Sequence, residues 1–487
     1  MTGGWVAVML RGGGKECGSG RLVLCFEVLE GDVMREGRVG GWKAWWGVVC
    51  VGALGVVEVG VGGSAAAAGA RAGAAAVEHV NFHKWTTQAD FQSGTVNGVT
   101  ALDGDRQGIV ISNTVGSLRY KDAYLHTTKT YAYSTWTSPS YVPGFGATEV
   151  VSSWSAQTPA GTWLKVELNA AMEDGHQTGW LDMGNWASGD GDIARTSLSP
   201  SAGAYGGVST DTFNSANGHT VRSYQLRVTL YRLSGSGAGG TVTPRLWQVG
   251  AFASAVPARS GVAASPLGGA EGVELAVPRL SQQIHVGQYS QYGGGGDAWC
   301  SPTSSEMISE FWGYGPSAAD MAWVNPSYAD PSVDQAARST YDYAYKGTGN
   351  WPFNAAYASQ YGLDAEVVQL PSVDDLETLI SGGVPVAISV AFDDGELTGA
   401  GYGTAGHLMV VVGFTGSGDF VVNDPFSPSD GAVRRVYQRR ELENIWLRTQ
   451  WTRGDGSLGF GSGGVAYVFK PHGVGLPVGG GVDGGVW

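Results

Sequence analysis

Cys300, His407 and Asp424 are the residues of this 487-residue chain whose types and settings could do covalent chemistry. Cys300 lies in Asp297-Ala298-Trp299-Cys300-Ser301-Pro302-Thr303, where a loop runs into a stretch that reads as a helix. The chain has four cysteines, and Cys17, Cys25 and Cys50 fall in or before a segment expected to be removed on export. Cys300 is then left without a partner for an internal disulfide, either an inert packed side chain or a reactive nucleophile. A nucleophilic thiol must lose its proton, so its pKa must fall from about 8.5. The unpaired amides and dipole of a helix N-terminus favour that loss. The thiolate also needs an imidazole as base and later acid, and the imidazole needs an oriented polar partner.

Two of the eight histidines fall in the same half of the chain as Cys300 and ahead of its last strand. His285 precedes a glycine loop, and His407 opens the apolar strand Gly406-His407-Leu408-Met409-Val410-Val411-Val412. A hairpin around Gly416-Ser417-Gly418 returns the chain through Phe420-Val421-Val422-Asn423-Asp424-Pro425. Antiparallel pairing across that turn brings Asn423 or Asp424 alongside His407. A carboxylate there would hold the ring in one tautomer and stabilise the imidazolium. Taken singly these residues are ordinary, since a lone cysteine is usually a small buried hydrophobe. The order is the signal: cysteine at a helix start, Gly-His on a strand, aspartate at the end of the paired strand.

The elements that must position them read as an α+β domain over 274–472. Helices are predicted from Pro302 to Trp312, from Ser332 to Tyr345, and from Ser372 to Gly382, the last with Asp375 as a capping-box partner. Strands follow at Val384 to Ala391, His407 to Phe414, Phe420 to Asn423 and Val465 to Phe469. Helices first and strands second, joined by hairpin-length loops, imply an antiparallel sheet. Residues 80–254 read differently. Leu226, Val228 and Leu230 alternate with Arg227, Thr229 and Tyr231, and Gly, Asn, Asp and Ser clusters separate short strands without convincing helices. That pattern predicts an antiparallel β-sandwich. A small-residue and proline-rich linker, expected to be flexible, spans 255–273, and a low-complexity tail over 473–487 is expected to be mobile.

Residues from about Val286 to Phe469 resemble the papain-like cysteine peptidases of the double-glycine, bacteriocin-leader-processing type. They are closer to that family's secreted relatives, which carry an extra N-terminal β domain. The matching pieces are Gln288-Tyr289-Ser290-Gln291, Trp299-Cys300-Ser301-Pro302-Thr303-Ser304, Gly406-His407 and Asn423-Asp424-Pro425. The resemblance implies a papain-like fold with Cys300 as nucleophile, His407 as general base and Asp424 as orienting acid. Gln291, with Gln288 as the fallback, would donate to the oxyanion beside the Cys300 amide. Two features depart from the pattern: Ser301 follows the cysteine where glycine is frequent, and Gly293 to Gly296 stretch the spacing from Gln291. The transporter to which processing enzymes are usually fused is missing, so cleavage after a double glycine is not carried over.

Arg35, Arg38 and Lys43 precede the apolar run from Ala44 to Val57 and the small-residue tract after Ser64, the order of a secretory signal within 1–76. Met34 would be the more natural start of such a signal. The run is broken too early by Glu58 for a membrane span, and no stable span is expected after processing. A secreted bacterial monomer is therefore expected, acting on a peptide or protein substrate with a possible cell-wall association. The net charge of −14 argues against a nucleic-acid partner. No metal cluster, phosphate loop or dinucleotide fingerprint is present in the sequence, so no cofactor and no metal are expected. Within the sequence the rivals are a cell-wall amidase or transpeptidase with the same site, and a non-catalytic binding module that keeps the fold. Trp154, Trp163, Trp180 and Trp186 could form a sugar platform but fit a sandwich core better. Asp393, Asp394 and Glu396 could select cationic substrates but fit a solvated loop better. Asp103-Gly104-Asp105 and Asp190-Gly191-Asp192 are weak calcium candidates.

Overall fold

The computed structural model describes residues 78–197, 201–235, 242–479 and 485–487. The expected export signal lies outside the described residues. Among them, no helix is long and apolar enough to cross a membrane.

Residues 79–255 form two sheets, antiparallel throughout. One is built on Arg245–Ala255, with Glu149–Gln157 on one side and His79–Trp85 and Gly108–Ile111 on the other. The second is built on Val221–Leu233, between Thr128–Thr137 and Thr162–Met172. Leu226, Val228 and Leu230 of the second sheet and Trp154, Val249 and Ala251 of the first enter one apolar cluster. Full burial of a large apolar side chain is worth about 1.5–3 kcal/mol, which is why the alternating pattern sets the strand faces. Three of the four candidate platform tryptophans, Trp154, Trp163 and Trp186, are at most 1% exposed, and the Arg227 guanidinium lies over Trp180. Trp154, Trp163 and Trp186 pack inward instead of forming a platform. The calcium-like turns are also committed: Asp190 pairs with Arg195 and Arg338, Asp192 accepts the Gly161 amide, and Asp103 accepts that of Gly104. One helix does occur here, Gln88–Ser93, held by a Thr87/Asp90 capping box that the β pattern masked.

The second part carries a six-stranded antiparallel sheet in the order Leu363–Gln369, Val465–Pro471, Val386–Phe392, Thr404–Phe414, Phe420–Asn423, Arg434–Tyr437. Its helices include Cys300–Phe311, Pro331–Thr340, Trp351–Gln360, Val373–Ser381 and Arg439–Leu447. Helices and strands interleave, which corrects the expectation of helices first and strands second. The helix Trp351–Gln360 has no polar face to give a stripe, because Trp351 to Ser359 are all buried. Phe353, Ala356 and Tyr357 enter the core of the first part, with the Phe353 ring 5.4 Å from Trp186 and 6.2 Å from Trp154. Asp211 of the first part accepts the Trp351 amide at 2.8 Å, satisfying an orphan donor of that helix. Arg195, fully buried, donates to the Arg338 carbonyl, and Asp342 accepts the Ser197 amide.

The two parts therefore share a core. Phe353→Ala is expected to cost about 3–5 kcal/mol. In denaturant titrations followed by fluorescence and circular dichroism, both parts should lose their structure at one lowered midpoint.

The segment 255–273 connects the parts but lies strapped along Arg439–Leu447 and does not behave as a free tether. Thr449 Oγ1 accepts the Arg259 amide, Asn444 Oδ1 that of Val262, and Glu443 that of Ser265. The tail is likewise tied down where described: the Phe82 amide donates to the Gly485 carbonyl, Val486 is buried and Trp487 donates to the Pro477 carbonyl.

Candidate active site

Cys300 is the first residue of the helix Cys300–Phe311. Pro302 needs no backbone donor in that first turn, and Thr303 donates its hydroxyl back to the Trp299 carbonyl. The preceding loop folds back on itself through Gly293, Gly294 and Gly295, whose φ angles of 73°, 94° and 88° favour glycine. Gly296 follows, and a Cβ there would stand 2.2 Å from the Gln282 carbonyl oxygen. Trp299 anchors the return by donating to the Tyr292 carbonyl. Ser304 then pins the helix to the neighbouring strand through the Leu408 carbonyl at 3.1 Å.

That contact sets the sulfur beside His407, on the strand Thr404–Phe414. The strand Phe420–Asn423 runs back antiparallel with Asn423 opposite Val410, so the residue after its end reaches the imidazole. Of the two candidate partners, Asp424 takes that place, with Oδ1 accepting from His407 Nε2 at 2.9 Å. Asn423 turns instead to the Val277 and Pro278 carbonyls. His407 is also hydrogen-bonded with Cys300. With Nε2 engaged by the carboxylate, Nδ1 is the nitrogen left for the sulfur.

The electrostatics follow from these contacts. Burial works against the charged imidazole, but the Asp424 charge and hydrogen bond, then those of Cys300, outweigh it and raise the His407 pKa from 6.5 to about 10. Burial likewise works against the charged carboxylate of Asp424. His407 and hydrogen bonds from Tyr437 and Tyr402 overcome it and lower its pKa. The carboxylate accepts four hydrogen bonds: His407 and the Phe426 amide on Oδ1, both at 2.9 Å, and Tyr402 (2.9 Å) and Tyr437 (2.7 Å) on Oδ2. The site is dry. Cys300, His407 and Asp424 are 0%, 3% and 1% exposed.

The glutamines are placed differently from the sequence expectation. Gln291 is exposed and hydrogen-bonds Tyr292, and Gln288 spends its amide on the Ile284 carbonyl and His285. Gln282, not singled out in the sequence, is 1% exposed and donates to the Gly296 and Asp297 carbonyls at 2.8 and 3.0 Å, against the turn that leads into Cys300. Its backbone amide donates to the Pro425 carbonyl, one residue past Asp424. The glycine loop doubles the chain back, so the glutamine further away in sequence lies against this turn. Tyr402 and Tyr437 were also missed; the first comes from a loop and the second ends the edge strand Arg434–Tyr437, and neither carries a local pattern. His285 is fully buried, 3.3 Å from Asp334 and packed against Trp299. Asp393 accepts the Gly454 amide and Glu396 grips Arg448 through both oxygens, so these acids hold the loop.

The site thus joins a helix-borne thiol, an imidazole and a buried carboxylate in series beside an antiparallel sheet. Residues 274–452 match the model of the Peptidase C39 like family, and residues 81–254 match that of the Peptidase C39 N-terminal domain. The chain is thus similar, part by part, to C39-type peptidases with an extra N-terminal domain, the resemblance that its motifs carry. No curated protein matches the chain. Among solved structures, one from Bacillus anthracis assigned to the C39-like peptidases shares 17% identity over 41% of this chain and 96% of its own. Its TM-score of 0.25 is too low to bear on the fold.

Proposed function

We propose that the protein is an exported cysteine peptidase, with an N-terminal β-sandwich fixed to the domain that hydrolyses peptide or related amide bonds. The observation that carries this reading is the imidazole of His407, bonded on one side to Cys300 and on the other to a fully buried Asp424. In the proposed sequence the thiolate attacks the carbonyl carbon and the C=O electron pair moves to oxygen. The imidazolium then protonates the departing amine as the C–N bond breaks. Water, deprotonated by His407, releases the acid from the thioester. The Cys300 backbone amide, at the first position of its helix, is the main-chain candidate for donating to the oxyanion. Gln282 replaces Gln291 as the side-chain candidate, and serving there requires its amide to leave the Gly296 and Asp297 carbonyls.

One observation favours the non-catalytic reading: the sulfur has no exposed surface in this conformation. Cleavage profiling on a mixed peptide library, with Cys300→Ala as control, decides between them. Cleavage by the wild type that vanishes in the variant supports a peptidase. A wild type indistinguishable from the variant leaves the binding module standing.

A further inference from the structure

With Cys300 fully buried and His407 only 3% exposed, a substrate carbonyl reaches the sulfur only after some group moves aside. Around the sulfur, His407 is hydrogen-bonded to it, Tyr402 stands beside that imidazole, and Tyr467 hydrogen-bonds Ser301, the next residue. His407 and Tyr467 are buried, whereas Tyr402 is partly exposed. Its ring stands edge-on to His407 at 5.6 Å and packs on Phe426 at 4.6 Å. Its hydroxyl supplies one of the two hydrogen bonds on Asp424 Oδ2, and Tyr437 supplies the other.

The backbone around Tyr402 is anchored on both sides. Glu441 accepts both the amide and the hydroxyl of Thr398, and Arg435 donates to the Gly399 carbonyl at 3.0 Å. Thr404 on the far side begins the strand that pairs with Phe392. The few residues between include Gly401, whose φ of 77° favours glycine, and Gly403, immediately before and after the tyrosine.

We infer that Tyr402 is a substrate-displaced cover over Cys300 whose hydroxyl also completes the acceptor set of Asp424, so that admitting substrate and aligning the imidazole's partner are one event. When the ring swings out, Oδ2 keeps only the Tyr437 hydroxyl. The carboxylate then has one competing donor fewer and binds the His407 imidazolium more strongly as the site opens. Tyr402 is thus a positioning residue as well as a gate. The inference rests on the reading of Cys300, His407 and Asp424 as the hydrolytic site.

The test is alkylation of the full chain with a small reagent, iodoacetamide, and a bulky one, pyrene maleimide. Modification is followed by mass spectrometry on the peptide that carries Cys300. Tyr402→Ala is expected to raise the ratio of bulky to small rates by about tenfold, the size of a shift from a rarely to a commonly open state. Tyr402→Phe keeps the ring but removes the hydroxyl that latches it to Asp424, so the ratio should rise part of the way towards the alanine value while peptide turnover does not fall. Tyr437→Phe removes the other hydroxyl on the same oxygen from a buried position, and should slow turnover without moving the ratio. Tyr402→Leu replaces the alanine variant if that one loses its cooperative unfolding. An unchanged ratio in the folded alanine or leucine variant overturns the gate. Equal alkylation rates in wild type and His407→Ala would instead defeat the hydrolase reading and leave the ratio test intact.

Discussion

Asp424→Asn should lower peptide turnover by roughly 10³–10⁴-fold, the scale on which a catalytic triad suffers when its carboxylate becomes an amide. The amide keeps an oxygen for the His407 ring and can still meet Tyr402 and Tyr437, so geometry is largely retained. What goes is the negative charge. Burial, the largest single influence on His407, then acts almost unopposed and pulls the imidazole pKa down from its raised value. A neutral imidazole offers the sulfur no cation, so the Cys300 thiol keeps its proton until pH approaches the ordinary thiol range, about 8.5. Iodoacetamide labelling of Cys300 between about pH 6 and 10 should be near-flat in wild type and rise with pH in the variant. A variant whose profile matches wild type would show that the charge of Asp424 does not sustain the pair.

The same couple has a stability signature with a definite sign. The folded-state pKa of His407 lies above 6.5, so its contribution is full below 6.5 and is lost as pH rises through about 10. Asp424 has a folded-state pKa below 3.8, so its contribution is full above 3.8 and lost as pH falls through that depressed value. At neutral pH the Asp424 contribution is full and that of His407 has only begun to decline, so the unfolding midpoint of Asp424→Asn should fall there.

The second large effect concerns the first part of the chain. Residues 274–472 expressed alone are not expected to fold into a stable, cooperative unit. Severing the parts would expose Phe353, Ala356 and Tyr357, remove Asp211 from the Trp351 amide, and leave Glu366 without Lys84. Buried apolar contacts of this kind are worth about 2–5 kcal/mol per large side chain, against a total stability of about 5–15 kcal/mol for a typical domain. Circular dichroism and denaturant unfolding of the fragment provide the measurement. A soluble fragment with a sharp transition and full activity would show that the β part is dispensable.

Much of the architecture was legible because its signals are local. The helix Val373–Ser381 has Ser372 as its N-cap and Gly382 at its end, where the capping pattern placed them. Leu226, Val228 and Leu230 alternate into the core as a half-buried strand should. The helix Trp351–Gln360 was not legible, because a helix buried on every side has no apolar stripe against a polar face. The segment 255–273 was read as flexible because composition reports the chain's own stiffness and not the surface on which it lies. Of the candidate site, cysteine, histidine and aspartate could be nominated because a hairpin links two of them. Gln282 could not, since its proximity depends on how the glycine loop doubles back, and Tyr402 and Tyr437 depend on tertiary contacts alone.

Everything proposed for this site comes down to whether the sulfur and the imidazole act as a pair. Iodoacetamide labelling at neutral pH, read on the Cys300 peptide of the wild type and of His407→Ala, measures that directly. A wild-type thiol that reacts much faster than free cysteine, and slows markedly once the imidazole is gone, is the expected result. Equal and sluggish rates in both proteins would contradict it.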